Sequence, residues 1–93
     1  MSLKQVVEII ELALKDIAEV NNIKVPAINE NVSLYGVHGC LDSLGLVSLI
    51  SGIESRLLEK GIYITIASEK AFSKKVSPFL TVKTLARFIA GII

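Results

Sequence analysis

The chain has 93 residues, ten of them basic and nine acidic, for a formal net charge of +1; this length holds one small domain with one core and excludes two. Thirteen Ile, twelve Leu and nine Val exclude a disordered chain, and the balanced charge argues against a binder of phosphate backbones. With no Trp, five aromatic residues and one Cys, the composition argues against a base-stacking platform and excludes an internal disulfide or a multi-cysteine metal site.

Residues 1–93 read as a single domain. The N-terminal stretch from Met1 to Glu8 has an acid eight residues in and no long apolar run, so it does not read as a secretory signal. Mean hydropathy is high, at +0.62, yet no apolar run approaches the roughly 18 residues of a membrane span. The expectation is a reduced, cytoplasmic protein without membrane insertion. Ser2 to Val20 reads as an amphipathic helix. Ser2 and Gln5 fit a capping box, in which two unpaired backbone donors are satisfied reciprocally. Leu3, Val6, Val7, Ile10, Leu14 and Ile17 recur at helical spacing, and Asn21-Asn22 ends the helix because Asn tolerates the left-handed conformation.

Residues 21–41 show no sustained period. So long a loop in a compact domain is uncommon and points to function. Its apolar residues, Ile23, Val25, Ile28, Val32, Leu34 and Leu41, suggest that it packs across the helices. Ser43 to Lys60 is the second strong helix, with a stripe of Leu44, Val47, Ile50, Ile53, Leu57 and Leu58 that Leu46 and Leu49 widen. Gly61 is placed as its C-terminal cap. Ile62 to Ile66 alternates like a strand but has no partner strand, so an extended connector is expected, followed by a turn or two of helix over Ala67 to Ser73. Pro78 blocks continuation. Thr81 can cap a last helix that turns Val82, Leu85, Phe88, Ile89 and Ile92 inward. The expected fold is all-α: three main helices and one short one, with a long first loop.

Much catalytic machinery is missing. There is no glycine-rich phosphate loop, no paired His on a helix and no His-Cys cluster with metal-ligand spacing. The single His38 and single Cys40 lack a third group to orient a base, so no enzyme activity is expected. The informative segment is Leu41-Asp42-Ser43-Leu44. Asp42 or Ser43 can simply cap the second helix. Alternatively, the Ser43 hydroxyl is an attachment point, where a phosphodiester would meet the positive helix end and its free backbone donors.

Leu41-Asp42-Ser43-Leu44 at the start of a helix after a long loop resembles the acyl carrier protein family. The likeness continues through Val47, Leu49, Ile50, Ile53, Glu54 and Leu57, and the order of helices is similar over the whole chain. The resemblance implies a four-helix acyl-carrier-like bundle whose Ser43 carries a covalent 4′-phosphopantetheine arm derived from coenzyme A. The arm's thiol would hold acyl intermediates as thioesters for partner enzymes. It further implies that Asp42 positions the serine and the incoming coenzyme A, and that Leu44 is a docking hydrophobe. Val47, Ile50 and Ile53 become candidates to line an acyl pocket, or are ordinary core. The implied partners of this monomeric carrier are a phosphopantetheinyl transferase and acyl-loading and acyl-transferring enzymes, with no nucleic acid.

The chain departs from the family in charge. Typical members are strongly acidic along the second helix, whereas here Gly45 and Ser48 stand where acids are expected. On a helical wheel Gly45, Ser48, Gly52 and Ser55 fall together, and with Leu44 they suggest a smooth, uncharged docking face. A partner would approach it by shape with little electrostatic steering. Lys70, Lys74 and Lys75 make the C-terminal third basic. A dedicated carrier for a specialised pathway fits this balance better than a general fatty-acid carrier. The alternatives are an aminoacyl or peptidyl carrier, or a helical interaction module that never takes an arm.

Overall fold

The computed structural model describes residues 2–25, 27–35, 39–66 and 79–92, with Ser43 described in its backbone only. His38, the expected short helix over Ala67 to Ser73, the break at Pro78 and the Lys70, Lys74 and Lys75 cluster lie outside the described residues. Three helices are present among those described: α1 (Leu3–Val20), α2 (Ser43–Glu59) and α3 (Val82–Ile92). The protein is all-helical, and the described residues hold no strand beyond one isolated antiparallel bridge between Ser33 and Thr81.

The helix ends form where the local sequence supplies partners for their orphan backbone groups. At the start of α1, Ser2 Oγ accepts from Gln5 N at 3.2 Å while Gln5 Oε1 accepts from Ser2 N at 2.8 Å. At its end Asn22 takes a left-handed φ of 56°, and the Ile23 N–H returns to the Ala18 carbonyl at 2.8 Å. Helix α2 closes with Gly61 at φ 80°, where Ile62 N donates to Leu57 O and Gly61 N to Leu58 O, both at 2.9 Å. This double closure needs a residue without a Cβ penalty at the left-handed position. Thr81 and Thr84 cap α3 reciprocally: Thr84 N donates to Thr81 Oγ1 at 3.1 Å and Thr81 N to Thr84 Oγ1 at 3.0 Å.

Helix α1 packs on both α2 and α3. The core gathers Val6, Ile10 and Leu14 from α1, Leu49, Ile53 and Leu57 from α2, and Val82, Leu85 and Ile89 from α3. Leu34 and Leu41 join it from the long loop and Ile66 from the connector, each 5% exposed or less. The loop therefore behaves as a packed layer. The first turn of α3 donates to it, Val82 N to Val32 O at 3.1 Å and Lys83 N to Glu30 O at 2.9 Å. Leu34 N donates to Leu80 O at 2.6 Å, and Leu41 N to Leu34 O at 2.9 Å. Gly39 closes this last turn against backbone: a Cβ there would lie 2.5 Å from Tyr35 Cα and 2.6 Å from Tyr35 N, so only glycine fits. Residues 62–65 form a connector without regular secondary structure, held at its end by Ile66 N donating to Glu54 Oε1 at 3.0 Å.

The inward face of α2 is rotated from the expected one. Leu46, Leu49, Ile50, Ile53 and Leu57 are buried, while Leu44, Val47 and Leu58 are 77%, 59% and 56% exposed. Gly52 does not lie on the outer face either, because it turns toward α1, where a Cβ would sit 3.7 Å from Ala13 Cβ. The small residues Ala13 and Gly52 face each other between the two helices, in keeping with the burial of Leu49, Ile53 and Leu57 on the same side of α2. The 3.7 Å separation is ordinary contact. Gly52→Ala is therefore expected to stabilise the fold by about 0.5–1 kcal/mol through helix propensity. Urea denaturation checks this, and a loss of stability would show that the interhelical gap is tighter than the backbone implies.

Candidate functional site

The start of α2 is built from the end of the loop. Asp42 is extended (φ −85°, ψ −177°) and is the N-cap: its Oδ1 accepts from Gly45 N at 2.7 Å, and its carbonyl accepts from Leu46 N at 2.9 Å. Ser43 is thus the first helical residue, and the capping role that either residue could have filled falls to Asp42. A carboxylate there also suits the positive end of the helix dipole. Upstream, Leu41 is 5% exposed and fastens the chain to the core one residue before the cap.

Gly45 is buried, against expectation. A Cβ at this position would lie 3.2 Å from Asp42 Oδ1 and 3.3 Å from Leu41 Cδ2, so the missing side chain makes room for the cap carboxylate and the Leu41 anchor. Gly45 therefore does not contribute to a smooth outer face, and Gly52 is half-buried beside α1. Ser48 and Ser55 are exposed, as expected. The outer face of α2 from Leu44 to Leu58 consists of Leu44, Val47, Ser48, Ser51, Ser55 and Leu58, with exposed carboxylates only at its two ends, Asp42 and Glu59. The neighbouring ionisable groups are engaged elsewhere, Glu54 with the Ile66 amide and Arg56 with Asp16. Of the three candidate acyl-pocket residues, Ile50 (7% exposed) and Ile53 (0%) are core, while Val47 belongs to the outer face.

Next to this helix start lies a cleft of about 380 Å³. Its apolar lining is Ile23, Cys40 and Leu44, and its polar lining is Asn21, Asp42 and Ser48, with Gly45 also bordering it. Sequence reasoning missed Asn21 and Ile23 as site residues. Asn21 caps α1 and Ile23 follows it at the start of the long loop, whose other end leads to Ser43. The Asn21 side-chain nitrogen donates to Ile17 O at 3.2 Å. Cys40 is half-buried, and its backbone N–H donates to Ser33 O at 3.0 Å. Burial pushes its thiol above the ordinary value, and backbone hydrogen bonding offsets part of that rise. No described helix is long and apolar enough to cross a membrane. No family model matches the chain, and searches among curated proteins and solved structures find no match for it either.

Proposed function

We propose that this chain is a carrier protein, with Ser43 taking a 4′-phosphopantetheine arm from coenzyme A. The observation that carries this reading is the position of Asp42-Ser43-Leu44. A long, anchored loop delivers it to the start of α2, Asp42 holds the cap, and Leu44 stands 77% exposed beside the serine. In the loading step the Ser43 hydroxyl forms a phosphodiester to the phosphopantetheinyl group, and adenosine bisphosphate leaves. A separate transferase supplies the chemistry, so the chain needs no base of its own and is not an enzyme. The new phosphate would lie at a helix N-terminus, where backbone N–H groups and the dipole favour an anion.

In the same reading α1, α2 and α3 are the three long members of a four-helix carrier bundle. The arm's thiol carries acyl groups as thioesters between cytoplasmic enzymes of a specialised pathway. Those enzymes dock on the middle of the outer face of α2, through Leu44, Val47 and Ser48, by shape more than by charge.

The test is an intact mass after incubation of the folded protein with coenzyme A, magnesium and a broad-specificity phosphopantetheinyl transferase. One adduct is expected, mapping to the peptide that contains Ser43. No adduct, with a known carrier modified in the same tube, sinks the proposal and leaves a helical interaction module capped by Asp42.

A further inference from the structure

The cleft between the end of α1 and the start of α2 has the place, the size and the lining to hold a tethered chain. We propose that it is the resting seat of the phosphopantetheine arm, which folds back from Ser43 across Cys40 toward Asn21 and Ile23. This rests on the carrier reading above. Both neighbours of Ser43 in sequence, Asp42 and Leu44, border the cleft, so the Ser43 backbone lies beside it and an arm esterified there is tethered within its reach. At about 380 Å³ the cleft is many times the space that one water needs, so it has room for a segment of the pantetheine chain.

The lining matches the alternation along that chain. Ile23, Leu44 and the Cys40 side chain offer apolar surface to its geminal methyls and methylenes. Ser48 offers a hydroxyl to an amide. Asn21 uses a side-chain N–H on Ile17 O, which leaves its Oδ1 to accept an amide N–H of the arm. Tethering makes weak contacts sufficient, because a short flexible linker holds its end at an effective concentration in the millimolar range. The interior is already filled on the other side of the helix, where Ile50 and Ile53 pack in the core.

Cys40 is the chain's one thiol and lines the cleft, so it reports on the seat directly. Ser43 would be loaded from coenzyme A methylated on its sulfur, which leaves Cys40 as the only free thiol. Its alkylation by iodoacetamide is then followed by intact mass across pH, in apo and loaded protein. The thiolate is the reacting form. The phosphate's charge alone would move the rate profile to higher pH and leave its upper plateau unchanged, whereas an arm lying over the sulfur lowers the plateau. A plateau lowered by at least about threefold is expected, which corresponds to an arm seated for about two-thirds of the time. Nuclear Overhauser contacts from the arm's geminal methyls to the Ile23 and Leu44 methyls are expected in the same sample. A smaller change in plateau, or the absence of those contacts, overturns the seat. Failure to load shows in the mass before any alkylation and overturns the carrier reading, and the seat with it.

Discussion

Ser43→Ala is expected to abolish arm attachment completely while leaving the unfolding free energy within about 1 kcal/mol of the parent. Loss of the adduct is all-or-none because the phosphodiester needs a hydroxyl. The stability term is small because Ser43 is the first helical residue and Asp42 already satisfies the Gly45 amide. Alanine is also the better helix former. Asp42→Ala separates the two roles. It leaves the hydroxyl in place and is expected to cost about 1 kcal/mol, because the Gly45 donor loses its acceptor. Intact mass and urea denaturation on the two variants give both quantities. A loss of more than about 2 kcal/mol in Ser43→Ala would mean that the serine is structural, and the interaction-module reading would replace the carrier. An adduct that persists in Ser43→Ala would place the arm on another residue.

The helix ends were legible in the sequence because the groups that make them are close neighbours in the chain. Ser2 with Gln5, Asp42 before Ser43, and Gly61 after Lys60 all act within a few residues, and the structure places them as caps. The rotation of α2 was not legible. Leu44, Leu46, Val47, Leu49, Ile50, Ile53, Leu57 and Leu58 cover most of its circumference, so apolar periodicity alone cannot choose the inward face. The choice comes from packing against α1, a partner distant in sequence, where Gly52 faces Ala13. Asp42, Ser43 and Leu44 are contiguous in the chain, so their place at the start of α2 was readable. The cleft beside them was not, because Asn21 and Ile23 reach it only when the loop folds back on α1. Gly45, read as surface, is buried by Leu41 and the Asp42 carboxylate, which the cap turns back over it.

Leu34→Ala is expected to cost about 2–5 kcal/mol, the range for truncating a fully buried leucine. Leu34 lies in a segment with no regular secondary structure, yet it is 0% exposed. Its backbone N–H donates to Leu80 O and its carbonyl accepts from Leu41 N. These bonds tie the approach to α3 and the approach to α2 to one residue, while its side chain fills space between the helices. For a domain with a total stability of about 5–15 kcal/mol, such a loss is a large fraction. At about 4–8 °C per kcal/mol it should lower Tm by at least about 8 °C. Val20→Ala is the control: Val20 is 83% exposed at the end of α1, and its truncation should stay within about 0.5 kcal/mol. The two effects reach the site differently. Loosening Leu34 also loosens Leu41 and the cap at Asp42, so Leu34→Ala should load its arm more slowly at temperatures where it is still folded. Val20→Ala should load at the parent rate. A cost at Leu34 below about 1 kcal/mol would mean that the helices hold the fold without the loop, and that the loop delivers Ser43 without being part of the core.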